Sequence, residues 1–138
     1  MADLIVLAQS IPLKLTSSGI LYQDIKEAVD VSAYDSIDFS VSVTSNHADG
    51  ATVTILTSIQ NQIDDLASGL TNPSWYSVGS AAFTGTAGNP GYKSVSVPSS
   101  SGASPLLRYV RYMLTFGTNT TQASVSIVGL ARRGLRVG

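Results

Sequence analysis

Between residues 37 and 43 the side chains alternate without a break: Ile37, Phe39, Val41 and Val43 interleave with Asp38, Ser40 and Ser42. A period of two sends the first set to one side of an extended chain and the second set to the other. This segment is therefore a strand with one dry face and one wet face. The pattern recurs in Val53, Ile55, Thr57 and Ile59, set against Thr52, Thr54 and Ser58. Trp75 to Phe83, Tyr92 to Val97, Leu106 to Phe116 and Ala123 to Ala131 also read as strands. Turn formers separate them, as in GTAGNPG at 85–91 and PSSSGASP at 98–105. About seven or eight short strands joined in this way predict an all-β antiparallel sandwich, jelly-roll-like in architecture.

Several details are expected within that frame. The loop SNHADG, Ser45 to Gly50, is expected to join its flanking strands as a hairpin or a wider strand pair. Leu4 to Leu15 supplies one or two strands, broken near Pro12, where the ladder loses a donor. Tyr22 to Val31 is ambiguous, and only Gln62 to Leu70 shows helical spacing, enough for a turn of helix. A length of 138 residues fits one domain, 1–138, with residues 1–20 as an N-terminal arm or edge strand and 132–138 as a basic tail.

Charged residues make up 12% of the chain, about half the usual share. Ser and Thr occupy the vacated positions, 21 and 12 of them. Hydroxyl-rich surface costs less to desolvate than one of Lys and Glu, which suits a protein that buries its outside against neighbours. A plain β-rich composition also produces it, because Thr favours strands and Ser favours turns. Eight basic and nine acidic residues create no field to steer nucleic acid or an anionic membrane. No cysteine is present, which removes disulfides, thiol nucleophiles and thiolate metal ligands together. The apolar stretch Leu4 to Ala8 is preceded by Asp3 and is too short for a bilayer span or an export signal.

Catalytic chemistry has little to work with. The one histidine, His47, sits two residues from Asp49 with Ser45 nearby, the residue types of a hydrolytic triad. Adjacent positions on one turn do not align a base with its orienting group, so a solvated loop histidine is expected. Asp35 with Asp38, or Asp64 with Asp65, supply carboxylates for glycoside chemistry or calcium, but neither pair belongs to a D-x-D-x-D-G loop. No catalytic, cofactor or metal residue is assigned, and the chain is expected not to be an enzyme.

Interface candidates are Trp75, Tyr76, Tyr109, Arg111, Arg132 and Arg133. Trp75 is assigned to the core, while Tyr76 divides between core support and an outward ring for a sugar or a partner. In the strand 106–116, Val110, Tyr112, Leu114 and Phe116 share one face, and Tyr109, Arg111 and Met113 share the other. Arg111 thus stands mid-strand between an aromatic and a methionine, suited to stacking or to bidentate pairing, and a structural role is favoured. The tail ARRGLRVG places three of the eight basic residues in the last seven positions, too few to hold nucleic acid at physiological salt.

The order of VSAYDSIDFSVSV at 31–43, VTILTSIQ at 53–60, PSWYSVG around Trp75, LRYVRYMLTF at 107–116 and ASVSIVGLAR at 123–132 resembles small structural proteins of tailed-bacteriophage particles. The RYVR piece is also similar to the penultimate strand of discoidin-type carbohydrate-binding sandwiches, without the cysteine pair of their extracellular members. The first resemblance covers residues 28–132. It implies a virion protein: a capsid decoration or cement protein bound to the major capsid protein, or a neck, tail or fibre component. A homo-oligomer is expected, trimers among the choices, because avidity multiplies weak contacts. The second resemblance implies a glycan as the alternative partner, met by Tyr76, Trp75 or the loop around Asp64.

Overall fold

A computed structural model of the chain describes residues 2–14, 19–24, 27–59, 75–97 and 106–133. The strands are β1 (Ala2–Lys14), β2 (Ile20–Tyr22), β3 (Val29–Asp30), β4 (Ser36–Ser45), β5 (Ala51–Ser58), β6 (Tyr76–Phe83), β7 (Gly91–Val97), β8 (Tyr109–Phe116) and β9 (Gln122–Arg132). They form two antiparallel sheets, ordered β1-β9-β4-β7 and β2-β8-β5-β6. β2 pairs with residues 113–115 of β8 and β3 with residues 109 and 110, so the two short strands share one edge of the second sheet. Four lanes face four, and the chain crosses between sheets repeatedly: this is jelly-roll topology.

The period-two residues account for the core. Ile37, Phe39, Val41 and Val43 of β4, with Val125 and Ile127 of β9, face Val53 and Ile55 of β5 and Val110, Tyr112 and Leu114 of β8. Nine of these eleven side chains are completely buried, and each buried aliphatic of this size contributes about 1.5–3 kcal/mol. Gly129 of β9 lies opposite Phe39, and a Cβ there would come within 2.7 Å of the Phe39 ring and of Ile37. The missing side chain leaves room for the aromatic ring.

Two expectations are corrected. The SNHADG loop does not close a hairpin: β4 belongs to the first sheet and β5 to the second, and the loop is a corner between them. Turn-forming composition is common to both kinds of connection, and both strands have a dry face that must meet across the core. Nor does β1 break at Pro12, which stays in the ladder opposite Ser124. β1 is the edge of its sheet, so a residue without an N–H can be accommodated there. The irregularities come earlier, between Val6 and Ala8 and between Ala8 and Ile11. Ser10 there takes a positive φ of 51° and its N–H donates to Ser126 Oγ at 2.8 Å. These bulges reset the alternation so that Leu7, Ala8, Ile11 and Leu13 all point inward. The helical turn expected at 62–70 lies outside the described residues.

Candidate functional site

The outer face of the second sheet carries a stack of large side chains centred on Arg111. Its guanidinium carbon is 4.6 Å from the Trp75 ring centroid and 4.9 Å from that of Tyr22. Tyr22 comes from β2 on one edge of the sheet, and Trp75 immediately precedes β6 on the other. The two rings bracket the cation, and Arg111 Nη1 donates to the carbonyl of Gln23 at 3.1 Å. Arg111 is only 3% exposed although it stands on an outward position. Burial lowers its pKa, opposed by the charges of Tyr22 and Asp24. Trp75 is buried as expected, but it packs on Arg111 and not within the cluster between the sheets. A ring over a desolvated guanidinium gains cation–π attraction that the aliphatic interior does not offer. Among the described residues, Trp75 Nε1 and Arg111 Nε have no hydrogen-bond partner.

Gln23, which the sequence reading left in an ambiguous stretch, holds this arrangement in place. Its backbone N–H donates to the Tyr112 carbonyl at 3.0 Å, and its Oε1 accepts from the Tyr112 N–H at 3.1 Å. Its Nε2 donates to the Leu7 carbonyl at 3.1 Å. One buried amide therefore ties β8 of the second sheet to the bulge of β1 in the first. No sequence signal marks it, because a lone glutamine announces neither burial nor partners.

The remaining candidates disperse. Tyr109 is half-buried beneath Arg108, whose guanidinium lies 5.2 Å from its ring and pairs with Asp30 at 3.3 Å. The Ser32 N–H bound to Asp30 holds that carboxyl below its ordinary range, with Arg108 adding to the effect. Tyr76 is 49% exposed at the β6 edge. Arg132 pairs with Asp38 at 3.4 Å, and Asp38 also accepts from Ser96 Oγ at 2.9 Å. Arg133 lies 5.8 Å from the Tyr34 ring, whose hydroxyl donates to Asp3 at 2.6 Å. That bond to Asp3 pushes the Tyr34 phenol up. Asp64, Asp65 and residues 134–138 lie outside the described residues.

The loops at one end of the sandwich do not assemble a triad. Ser45 Oγ donates to the backbone carbonyl of His47 at 2.6 Å and sits 2.7 Å from Thr86 Oγ1, turned away from the imidazole. His47 Nδ1 instead accepts from the Asp49 N–H at 3.1 Å. Asp49 in turn accepts from the backbone and side chain of Asn119 at 3.0 and 2.9 Å. The Asn46 side chain grips Thr121 and Gln122 with three hydrogen bonds, and its backbone N–H donates to the Gln122 carbonyl at 3.1 Å. Beside them lies a cavity of about 390 Å³ bounded by Lys14, Thr44, Asn46 and Gln122. Among the described residues no cluster of His, Asp or Glu is placed to hold a metal ion, and no helix is long and apolar enough to cross a membrane.

The outer face of the first sheet has the opposite character. Its central lanes present Ser40, Ser42 and Thr44 of β4, Ser124 and Ser126 of β9, and Ser94 and Ser96 of β7. Towards the β1 edge the hydroxyls give way to Leu4, Val6, Val128 and Leu130, with Leu4 opposite Leu130 and Val6 opposite Val128. Leu4 is 70% exposed, Val6 44% and Leu130 39%.

No protein-family model matches the sequence, and neither does any curated protein. Among solved structures, a carbohydrate-binding module of a Cellvibrio mixtus lichenase, in complex with cellotriose, aligns at 14% identity and a TM-score of 0.46. That alignment covers 94% of this chain and 100% of the module. The VP2 subviral particle of infectious bursal disease virus aligns at 13% identity and a TM-score of 0.49, over 97% of this chain and 33% of VP2. The chain thus spans about a third of the VP2 length.

Proposed function

We propose that this chain is a non-enzymatic structural protein of a virus particle, specifically a decoration or cement protein that docks across capsid subunits of a phage head. The observation that carries the reading is the outer face of the first sheet, where serine and threonine hydroxyls lie beside the Asp38–Arg132 pair and give way to exposed Leu4, Val6 and Leu130. Such a face loses little hydration when covered, and its apolar margin gains from being covered. The sequence resemblance to small phage sandwiches supplies the kind of partner. A protein that binds assembled shell and not free subunits stabilises the shell by its binding free energy.

The test is co-sedimentation with capsids of the phage that encodes the chain, stripped of it beforehand. Wild-type protein is expected to rebind and to raise the temperature at which the shells open. Ser40→Lys with Ser124→Lys, which charge the middle of the face, should reduce rebinding at least tenfold while the protein stays folded. Rebinding unchanged by those lysines would remove this face from the interaction.

A carbohydrate-binding role is the second reading. It is favoured by Tyr76 and Tyr92, residues 49% and 72% exposed, whose rings could stack on a sugar. Binding on a glycan array that disappears in Tyr76→Ala or Tyr92→Ala would establish it in place of the first.

A further inference from the structure

The two halves of β1 treat their open edge differently. An unpaired strand edge offers a row of N–H and C=O groups to any extended chain, and proteins blunt such edges with bulges, proline and charge. The second half of β1 has all three: the register shifts around Leu7 and Ser10, Pro12, and Lys14. The first half has a regular ladder from Ala2 to Val6, interrupted only by the bulge that follows. Its one charge, Asp3, is occupied by the Tyr34 hydroxyl. Its outward side chains Leu4 and Val6, with Leu130 behind them, are three of the seven large hydrophobics most exposed among the described residues.

We infer that Ala2–Val6 is the docking edge for a second copy of this chain, joined β1 to β1′ across a two-fold axis at Leu4. The regular segment is five residues long, so an antiparallel partner that uses all of it has its midpoint at Leu4. In that register Leu4 meets the other Leu4, Val6 comes opposite Ala2, and Asp3 falls opposite Ile5. A register centred on Asp3 would oppose two carboxylates, which is unfavourable. The first sheets of both copies then become one continuous sheet. Their Leu4, Val6, Val128 and Leu130 side chains then adjoin as a single apolar patch on one face of that sheet. Self-pairing through one patch closes at two subunits, whereas pairing to a different edge would propagate.

A five-residue ladder with a small apolar patch covers less than the roughly 800 Å² per partner typical of stable complexes. The dimer is therefore expected to form with a Kd on the order of micromolar. This inference rests on the reading of the chain as a docking protein and identifies one of its partners.

Two measurements on the full chain test it. Light-scattering mass followed from low to high micromolar concentration should rise from 14.4 kDa towards twice that value. Leu4→Lys should hold the mass at one chain without altering the folded spectrum. The chain has no cysteine, so Leu4→Cys places a single thiol at the axis. Under mild oxidation that variant should cross-link at least tenfold faster than Ser94→Cys on the far edge. A mass that stays at one chain overturns the inference, as does an oligomer that survives Leu4→Lys or cross-linking no faster than the control. Capsid rebinding is read separately. A monomer that still rebinds sinks the edge and spares the proposed function, whereas a dimer that never rebinds does the reverse.

Discussion

On the outside of the second sheet large side chains lie against one another: Tyr22, Arg111 and Trp75, from β2, β8 and just before β6, stack and keep the guanidinium from solvent. On the outside of the first sheet the central residues are short serines and threonines, whose side-chain bonds are single ones such as Ser96 to Asp38. One face has covered itself, and the other is left ready to be covered. The hydroxyl positions are therefore expected to be exchangeable without disturbing the fold, whereas each member of the stack packs on another. Binding surfaces are thus sought where the fold has least at stake.

The comparison can be broken by substitution, beginning with the largest effect. Arg111→Ala removes both stacks and the bond to Gln23, and should lower unfolding free energy by about 3 kcal/mol in urea titrations. A loss under about 1 kcal/mol would mean that the stack is decorative, and the contrast between the faces would fail. Gln23→Ala leaves the Leu7 carbonyl and the Tyr112 N–H short of partners and should cost about 2 kcal/mol. Because it joins the sheets, it should also raise hydrogen exchange in both β1 and β8, not in one alone. Ser40→Lys on the first sheet should change stability by no more than about 0.5 kcal/mol by the same titration. A larger loss would show that the hydroxyl face is structural after all.

The smallest effect is on pH. Burial pushes the Tyr112 phenol above its ordinary value of 10.0, and the Asp3 bond does the same for Tyr34. A raised folded pKa favours the neutral form, so the stability it contributes is complete below pH 10 and is lost as pH rises through the raised values. Absorbance at the phenolate band should show these two tyrosines ionising late, with Tyr112 ionising only as the fold opens. Early titration of Tyr112 would place it nearer to water than the structure does.

The strands with one wet face were legible because alternation is a local property. Ile37 to Val43 and Ala123 to Ala131 needed only their own residues to declare a face. Connections were less so, since nothing within Ser45 to Gly50 separates a hairpin from a corner between sheets. The pairing partners of β4 are β7, 48 to 60 positions away, and β9, 78 to 96 positions away. The stack around Arg111 was half visible. Its outward placement followed from parity with Tyr109 and Met113, but the rings that cover it arrive from Tyr22 and Trp75 through tertiary packing alone. A tryptophan on the outside of a sheet reads in sequence like one inside it, and only the buried cation distinguishes the two.

Gly129 shows how such packing restricts the paths by which the chain can change. Any side chain at 129 would collide with the Phe39 ring and Ile37, so a change there is inaccessible as a single step. It opens only after Phe39 and Ile37 have both been replaced by something smaller, and those first steps leave a void in the core. The three positions can drift in one order and not in the other. A variant library at all three would therefore recover replacements of Gly129 mainly from lineages that lost both side chains first.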